Sequence, residues 1–291
     1  MLRSVSSLPR LPNRARDSHK GTFGKVLIVA GSVGMSGAAV LAGLGALRGG
    51  AGLVQIACPT AIQPIVATGN PCYLTVGLTH ESSGHLASSS LERLSSILPD
   101  VQAVAFGPGM GRAADVVQIL ERLITEFEGS IIIDADGLHA LKQLQQEGKL
   151  SERKVPLICT PHPGEFAQMT GLATQQIQAD RKQQAVRYVT EHKVILVLKG
   201  QGTLVTDGQR MYVNTTGNSG MAKGGSGDVL TGLIASLAAQ GLPPLEAAQA
   251  GVYLHGLAGD LAAATLTENA MLPTDLVEAL PLAFRKYNPQ S

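Results

Sequence analysis

Apolar positions along the chain fall in short, β-branched runs that stop at glycine, each followed by a longer stretch with helical spacing. "KVLIVAG" (25–31) is the first such run; apolar on both faces, it reads as a buried parallel strand. "SVGMSGAAVLAGLGALRGGAG" (32–52) follows as a helix of small residues that can pack closely on a sheet. "LVQIAC" (53–58) is the next strand, and "VQAVAFGPGMG" (101–111) is a strand running into a glycine loop. Helical spacing from Ala113 to Phe127 leads to "SIIIDADGL" (130–138), a strand that ends on two acidic residues. "VPLICTPHPGE" (155–165) and "KVILVLKGQGT" (193–203) repeat the strand-then-loop plan.

"TLVTDGQRMYV" (203–213) departs from it: two strand-like runs flank Asp207-Gly208, a two-residue signal for a β-hairpin. Beyond it, Val229, Leu230, Leu233, Ile234 and Leu237 recur at helical spacing, with Gly241 and Pro243 as the stop signal. An alanine-rich helix spans Leu245 to Leu266. Alternating strands and helices predict an α/β fold with a mostly parallel central sheet covered by helices on both faces. No internal repeat or linker interrupts the pattern, so one domain is expected.

Composition narrows the partner. The 291 residues are 44% hydrophobic and 15% charged, with a formal net charge of +1. That balance offers no electrostatic footprint for nucleic acid or an anionic membrane. Aromatic residues make up only 3%, which argues against a base-stacking platform. No apolar run reaches membrane-spanning length, so a small-molecule partner is expected. Cys58, Cys72 and Cys159 form no CxxC and cannot all pair, which predicts a reducing compartment and buried, inert thiols. The first sixteen residues, "MLRSVSSLPRLPNRAR", are Arg- and Ser-rich, but Pro9 and Pro12 would interrupt the helix of a transit peptide. An extended leader over 1–18 is expected, with the folded domain over 19–291.

The 34 glycines cluster between the predicted elements, at 31–37, 43–52, 107–111, 200–202 and 217–227. In an open α/β sheet, ligands sit outside the C-terminal ends of strands. Loops 31–37, 107–111, 161–165, 200–202 and 217–227 should therefore share one edge, and they could line one crevice. Neither a P-loop nor a dinucleotide GxGxxG is present. "GNSGMAKGGSGD" (217–228) reads as an anion site: N–H groups of Gly224, Gly225, Ser226 and Gly227 can turn inward, and the following helix adds its positive N-terminal end. Asp228 would repel an anion, yet suits a general base that takes a proton from a hydroxyl attacking phosphorus. Helix capping is its alternative role, but a cap does not need the cluster of glycines that leads up to it.

The other loops are less specific. Lys199 and the backbone of "KGQGT" could hold a nucleotide's phosphate or ribose, or form a simple strand-exit turn. "TPHPGE" (160–165) presents His162 and Glu165 on a stiff backbone, with a solvent-facing histidine as the alternative. Asp134 and Asp136 could help hold Mg²⁺ through water, with helix capping by Asp136 as the alternative. No His/Cys cluster supports a tightly bound transition metal, and no metal ligand is assigned.

Taken in order, "HKGTFGKVLIVAGS" (19–32), "GPGMG" (107–111), "DADGL" (134–138), "TPHPGE" (160–165), "KGQGT" (199–203) and "GNSGMAKGGSGD" (217–228) resemble the ribokinase-like superfamily. Within it they resemble the NAD(P)H-hydrate dehydratases that use ADP or ATP, over His19 to about Lys286. The resemblance implies repair of nicotinamide cofactors hydrated at C6: phosphoryl transfer to the C6 hydroxyl of the S epimer, then loss of phosphate. It implies Asp228 as the base and Gly224 to Gly227 as the anion hole. Lys199, Gly200, Gln201, Gly202, Thr203 and Gly227 would contact the adenine nucleotide, and Ala39, Gly109, His162 and Asp228 the hydrated cofactor.

"GSVGMSGAA" resembles the bacterial members, which implies ADP as phosphoryl donor, with Mg²⁺. Many bacterial relatives carry an N-terminal epimerase domain, which this sequence lacks; a separate epimerase, or another part of a longer gene product, would supply the S form. A homotetramer and a cytoplasmic location are further implications. Two other readings stay open: a ribokinase-like kinase for a vitamin-precursor hydroxymethyl group, and a nucleotide-binding module without turnover.

Overall fold

In the computed structural model, which describes residues 2–150 and 156–287, each predicted apolar run becomes a strand of one sheet. Its strands are β1 (Arg3–Val5), β2 (Lys25–Val29), β3 (Leu53–Pro59), β4 (Leu74–Leu78) and β5 (Ala103–Phe106). They continue as β6 (Ser130–Ile133), β7 (Leu157–Cys159), β8 (Ile195–Leu198), β9 (Leu204–Thr206) and β10 (Arg210–Val213). Val155, at the predicted start of one run, lies outside the described residues, as do Met1 and the last four residues of the expected domain.

Around the sheet lie α1 (Ser36–Arg48), α2 (Gln63–Gly69), α3 (Leu91–Ile97), α4 (Ala114–Glu126), α5 (Asp136–Gln146) and α6 (Pro163–Thr170). The later helices are α7 (Thr174–Ala179), α8 (Arg181–His192), α9 (Ser226–Ala239), α10 (Pro244–Leu266) and α11 (Pro273–Tyr287). The sheet order is β1-β10-β9-β8-β7-β6-β5-β2-β3-β4. Among these strands only the pairings of β9 are antiparallel: Asp207-Gly208 turns the chain into β10, and residues 199–203 turn it from β8 into β9. The Asp207 carboxylate fixes that turn by accepting from the N–H groups of Gln209 (2.9 Å) and Arg210 (2.7 Å).

Strand alternation divides the core. In β2, Leu27 and Val29 pack with residues of α4 and α5 on one face, and Val26 and Ile28 with α1 and α9 on the other. The small residues of α1 do more than lie on the sheet. A Cβ at Gly45 would stand 2.2 Å from the Val229 carbonyl oxygen, and one at Gly232 1.9 Å from that of Ala42. Backbone-to-backbone contact of α1 with α9 is therefore the tightest packing near the loops, and it fixes where α9 begins.

Residues of the expected leader are laced onto this frame. β1 adds a parallel edge strand to β10. Farther on, the Ser7 carbonyl accepts from Gln249 Nε2 and the Pro9 carbonyl from the Tyr287 hydroxyl, each at 2.7 Å. Arg14 lies 3.5 Å over the Phe23 ring. Cys58 and Cys159 are buried as expected, whereas Cys72 is exposed, because it sits in the loop leading to the edge strand β4. Among the described residues, no helix is long and apolar enough to cross a membrane.

Candidate active site

Adjacent parallel strands deliver their next residues to one place, and here that brings a charged network together. Asp134 follows β6 and is only 1% exposed. Its Oδ1 accepts from Lys199 Nζ, after β8, and from the Thr160 hydroxyl, after β7, both at 2.8 Å. Its Oδ2 accepts from the Thr231 hydroxyl of α9 at 2.9 Å. Lys199 Nζ also lies 3.7 Å from Glu165 Oε2. Burial alone would raise the Asp134 pKa and lower that of Lys199. Their mutual attraction and hydrogen bonds outweigh it, leaving Asp134 below and Lys199 above its ordinary value. The Lys199 ammonium, expected on a nucleotide, is thus directed at carboxylates.

The anion loop differs in detail from the expected row of four N–H groups. The Ser226 N–H donates to the Lys223 carbonyl (3.3 Å) in a tight turn, so it is engaged within the chain. Those of Gly224, Gly225 and Gly227 have no partner among the described residues. Ser226 offers its hydroxyl instead, which is buried and likewise unpartnered. Gly225, at φ +100°, caps α9 in the left-handed region, and a Cβ there would stand 2.5 Å from Leu41 Cδ1. At Gly227 a Cβ would come within 3.1 Å of Lys199 Nζ. At Gly224 it would meet nothing within 4 Å.

Asp228 is the third residue of α9, and its carboxyl makes no hydrogen bond within the described residues, so the capping alternative is not realised. Burial, then the negative charge of Asp134 and more weakly of Glu165, push its pKa up to about 7, against the opposing pull of Lys199. A carboxyl with that pKa exchanges protons near neutrality.

Beside it opens a cavity of about 970 Å³, lined by Lys199 to Thr203, Asn214 to Ser219, Ser226 and Gly227, with His162 at its border. Met221, Leu230 and Val252 supply apolar wall. Asp228 is not among the lining residues; it stands on the adjacent face of α9. The cavity is large enough for a nucleotide.

The expected single crevice is two neighbourhoods. Loops 161–165, 199–203 and 217–227 surround the cavity, whereas 31–37 and 107–111 meet each other where the strand order reverses between β2 and β5. There the Ser32 hydroxyl donates to the Gly109 carbonyl at 2.8 Å. Ala39, expected at the hydrated cofactor, has no accessible surface, because α1 packs it beneath Gly31. His162 Nδ1 accepts from the N–H groups of Gly164 and Glu165, while Glu165 Oε2 accepts from the His162 N–H, a reciprocal cap that holds the loop rigid. Asp136 accepts from the Gly111 N–H (2.8 Å) and pairs with Arg112, so it neither caps α5 nor joins Asp134.

Several cavity residues escaped the sequence reading. Asn214 Nδ2 donates to the carbonyls of Thr216 and Val252, each at 3.1 Å, and Asn218 Nδ2 to Asp260 Oδ1 at 3.0 Å, which pins the loop to α10. The polar run "NTTGNS" was its only sequence signal. His255 Nε2 lies 2.9 Å from the Ser226 carbonyl, so that nitrogen must carry the proton. Burial lowers its pKa to about 4, leaving the ring neutral. Nothing in an alanine-rich helix announces it.

Comparison with known proteins places the chain in a family. A family model described as NAD(P)H-hydrate dehydratase matches residues 26–282. A bifunctional NAD(P)H-hydrate repair enzyme of Moorella thermoacetica is 43% identical over 278 residues, covering 95% of this chain but 52% of that protein. The chain thus spans about half the length of the curated relatives it matches first. An ADP-dependent (S)-NAD(P)H-hydrate dehydratase of Bacillus subtilis is 34% identical over 95% of both chains. The crystal structure of the ADP/ATP-dependent NAD(P)H-hydrate dehydratase of Bacillus subtilis, co-crystallised with ATP/Mg²⁺, superposes with a TM-score of 0.81 at 31% identity, covering 95% of this chain and 94% of that one. A ribokinase-like superfamily protein of Enterococcus faecalis gives 0.83 at 28% identity, covering 98% and 96%. Matched by one family model along most of its length, and folded like the family's solved members, the chain belongs to the NAD(P)H-hydrate dehydratase family on a ribokinase-like fold.

Proposed function

We propose that the chain catalyses ADP-dependent dehydration of the S form of NAD(P)H hydrate, giving NAD(P)H, AMP and phosphate. The observation that carries this is the Asp228 carboxyl, without a hydrogen bond of its own, at the start of a helix whose leading N–H groups at Gly224, Gly225 and Gly227 are unpartnered. Such a carboxyl can take a proton from a hydroxyl while the helix start holds the phosphoryl group it attacks.

In this reaction Asp228 removes the C6 hydroxyl proton as that oxygen attacks the terminal phosphorus of ADP. The P–O bond to AMP breaks, and AMP leaves with the bond's electrons. The ring nitrogen's lone pair then expels phosphate from C6, and loss of a C5 proton restores the ring double bond. The three N–H groups and the Ser226 hydroxyl would hold charge on the transferring group; losing one such donor typically raises a barrier by about 3 kcal/mol. ADP would occupy the cavity against residues 199–203. The hydrated cofactor would approach from the side of Gly109 and the 31–39 segment, with His162 at the boundary.

Mg²⁺ belongs to the proposal as the nucleotide's counter-ion. No group of three His, Cys, Asp or Glu side chains is arranged to hold a metal ion among the described residues, so the ion would rest on phosphate oxygens and water. An epimerase acting on the R hydrate would supply substrate, and a cytoplasmic homotetramer completes the proposal; light scattering would read the assembly.

The test is recovery of the reduced-nicotinamide absorbance when purified protein acts on hydrated NADH with ADP, ATP or neither, alongside Asp228→Asn. Recovery that needs ADP and Asp228, with AMP released, is the expected result. Folded protein that restores nothing with either nucleotide and Mg²⁺ overturns it. A phosphorylated alcohol without absorbance recovery would identify a small-molecule kinase, and nucleotide binding indifferent to Asp228, without turnover, a binding module.

A further inference from the structure

The loop at 199–203 is gripped from behind by a residue of α8. Arg181 Nη2 donates to the carbonyls of Leu198 (2.9 Å) and Lys199 (3.0 Å), and Nη1 to that of Gln201 (2.6 Å). The remaining carbonyl of the turn, on Gly200, accepts from the Thr203 hydroxyl at 2.9 Å. Every acceptor from 198 to 201 is therefore engaged on the chain's own donors.

Peptide planarity gives this grip a consequence for the other side of the loop. All the described peptide bonds are trans, and in a trans peptide the carbonyl of one residue points opposite to the N–H of the next. Drawing the Lys199 and Gln201 carbonyls onto Arg181 turns the Gly200 and Gly202 N–H groups away from it. Neither N–H has a partner among the described residues. Lys199 to Thr203 line the cavity and Arg181 does not, so those two donors face the cavity. Gly200 and Gly202, at φ +127° and +62°, occupy the region where a side chain would be strained. Burial alone acts on the guanidinium, which has no carboxylate partner among the described residues.

We propose that Arg181 is a positioning residue: it holds the 199–203 loop with donors outward, so that the Gly200 and Gly202 N–H groups bind phosphate oxygens of a nucleoside diphosphate. This rests on the nucleotide-dependent reaction proposed above. A lysine keeps the charge but lacks the planar fork that reaches three carbonyls at once. Loss of the fork frees the peptides to flip, which would turn carbonyl oxygens toward the phosphates.

The test compares wild type, Arg181→Lys and Arg181→Met by calorimetric titration with ADP and with adenosine, together with steady-state repair rates. Both variants are expected to bind ADP about tenfold more weakly, the loss of one good charge-assisted contact's worth, and adenosine within about twofold of wild type. KM for ADP should rise in step, while kcat at saturating ADP and KM for the hydrate hold. If Arg181→Met does not fold, Arg181→Lys carries the comparison, with thermal unfolding as the check. Wild-type ADP affinity in Arg181→Lys overturns the bracing role, since charge alone would then suffice. Equal loss for ADP and adenosine also overturns it, by showing that the loop does not act on phosphate. Wild type that binds no ADP at all would instead strike the proposed reaction itself.

Discussion

Asp228 stands near two other carboxylates, Asp134 and Glu165, with the Lys199 ammonium as the opposing charge. Because a base must be ionised to work, kcat/KM is expected to climb with pH and level off above about 7. A rate profile over roughly pH 5–9 checks this; a profile flat down to about pH 5 would place the base elsewhere. Asp228→Asn should lose roughly 10²–10⁴ in rate and yet stabilise the fold. Its folded pKa lies above the unfolded value, so the ionised carboxylate weakens the native state as pH rises from about 4 to about 7 and stays a cost above that. At pH 8 the variant should gain on the order of 2 kcal/mol in denaturant unfolding, with the gain gone near pH 4. A variant less stable than wild type at pH 8 would reveal a hidden partner for the carboxylate. Asp228 was legible in the sequence because a glycine cluster precedes it and an apolar helix follows. Arg181 was not: its work is done on backbone carbonyls of a loop some twenty residues away, which leaves no pattern in side-chain types.

At the scale of elements, the start of α9 depends on two neighbouring glycines in unequal ways. Gly225 needs its left-handed φ and the space held by Leu41, so Gly225→Ala should cost about 1–2 kcal/mol or more. Gly224 has neither constraint, and Gly224→Ala should stay within about 0.5 kcal/mol of wild type. Thermal unfolding of the two variants side by side decides it; equal losses would mean that the turn from Lys223 to Ser226 is not held as described. The buried strands were readable because a β-branched run ending in glycine is too short for a helix and too apolar for a surface loop. β4 was missed because an edge strand is half exposed and carries Gly77, and α7 and α8 because their sequences are polar on most sides. The expected single crevice failed for a topological reason. Loops 31–37 and 107–111 flank the switch between β2 and β5 and pack on each other, while the cavity opens farther along the sheet, beyond β6, and nothing in the sequence orders the strands.

Across the whole molecule, residues 2–18 tie distant parts together. β1 closes one edge of the sheet, Gln249 and Tyr287 fasten Ser7 and Pro9 to α10 and α11, and Arg14 donates to the Gly50 carbonyl at 3.0 Å. Leu8 and Leu11 pack, partly buried, against two separate clusters of the core. The Pro9–Tyr287 bond joins residues 278 positions apart, a contact that local patterning cannot announce. None of these residues lines the cavity beside Asp228. Deleting residues 2–18 should therefore act on stability rather than on the site. Two partly buried leucines at about 1 kcal/mol each and three hydrogen bonds at up to about 1 kcal/mol each set a loss of roughly 3–5 kcal/mol. At about 2–4 °C per kcal/mol, the melting temperature should fall by roughly 6–20 °C. ADP affinity measured well below that temperature should stay within about twofold of the full chain. An unchanged melting temperature would make the segment a passenger. A loss of ADP binding in protein that still melts cooperatively would mean that the tie reaches the cavity through α10, whose Val252 and His255 form part of its wall.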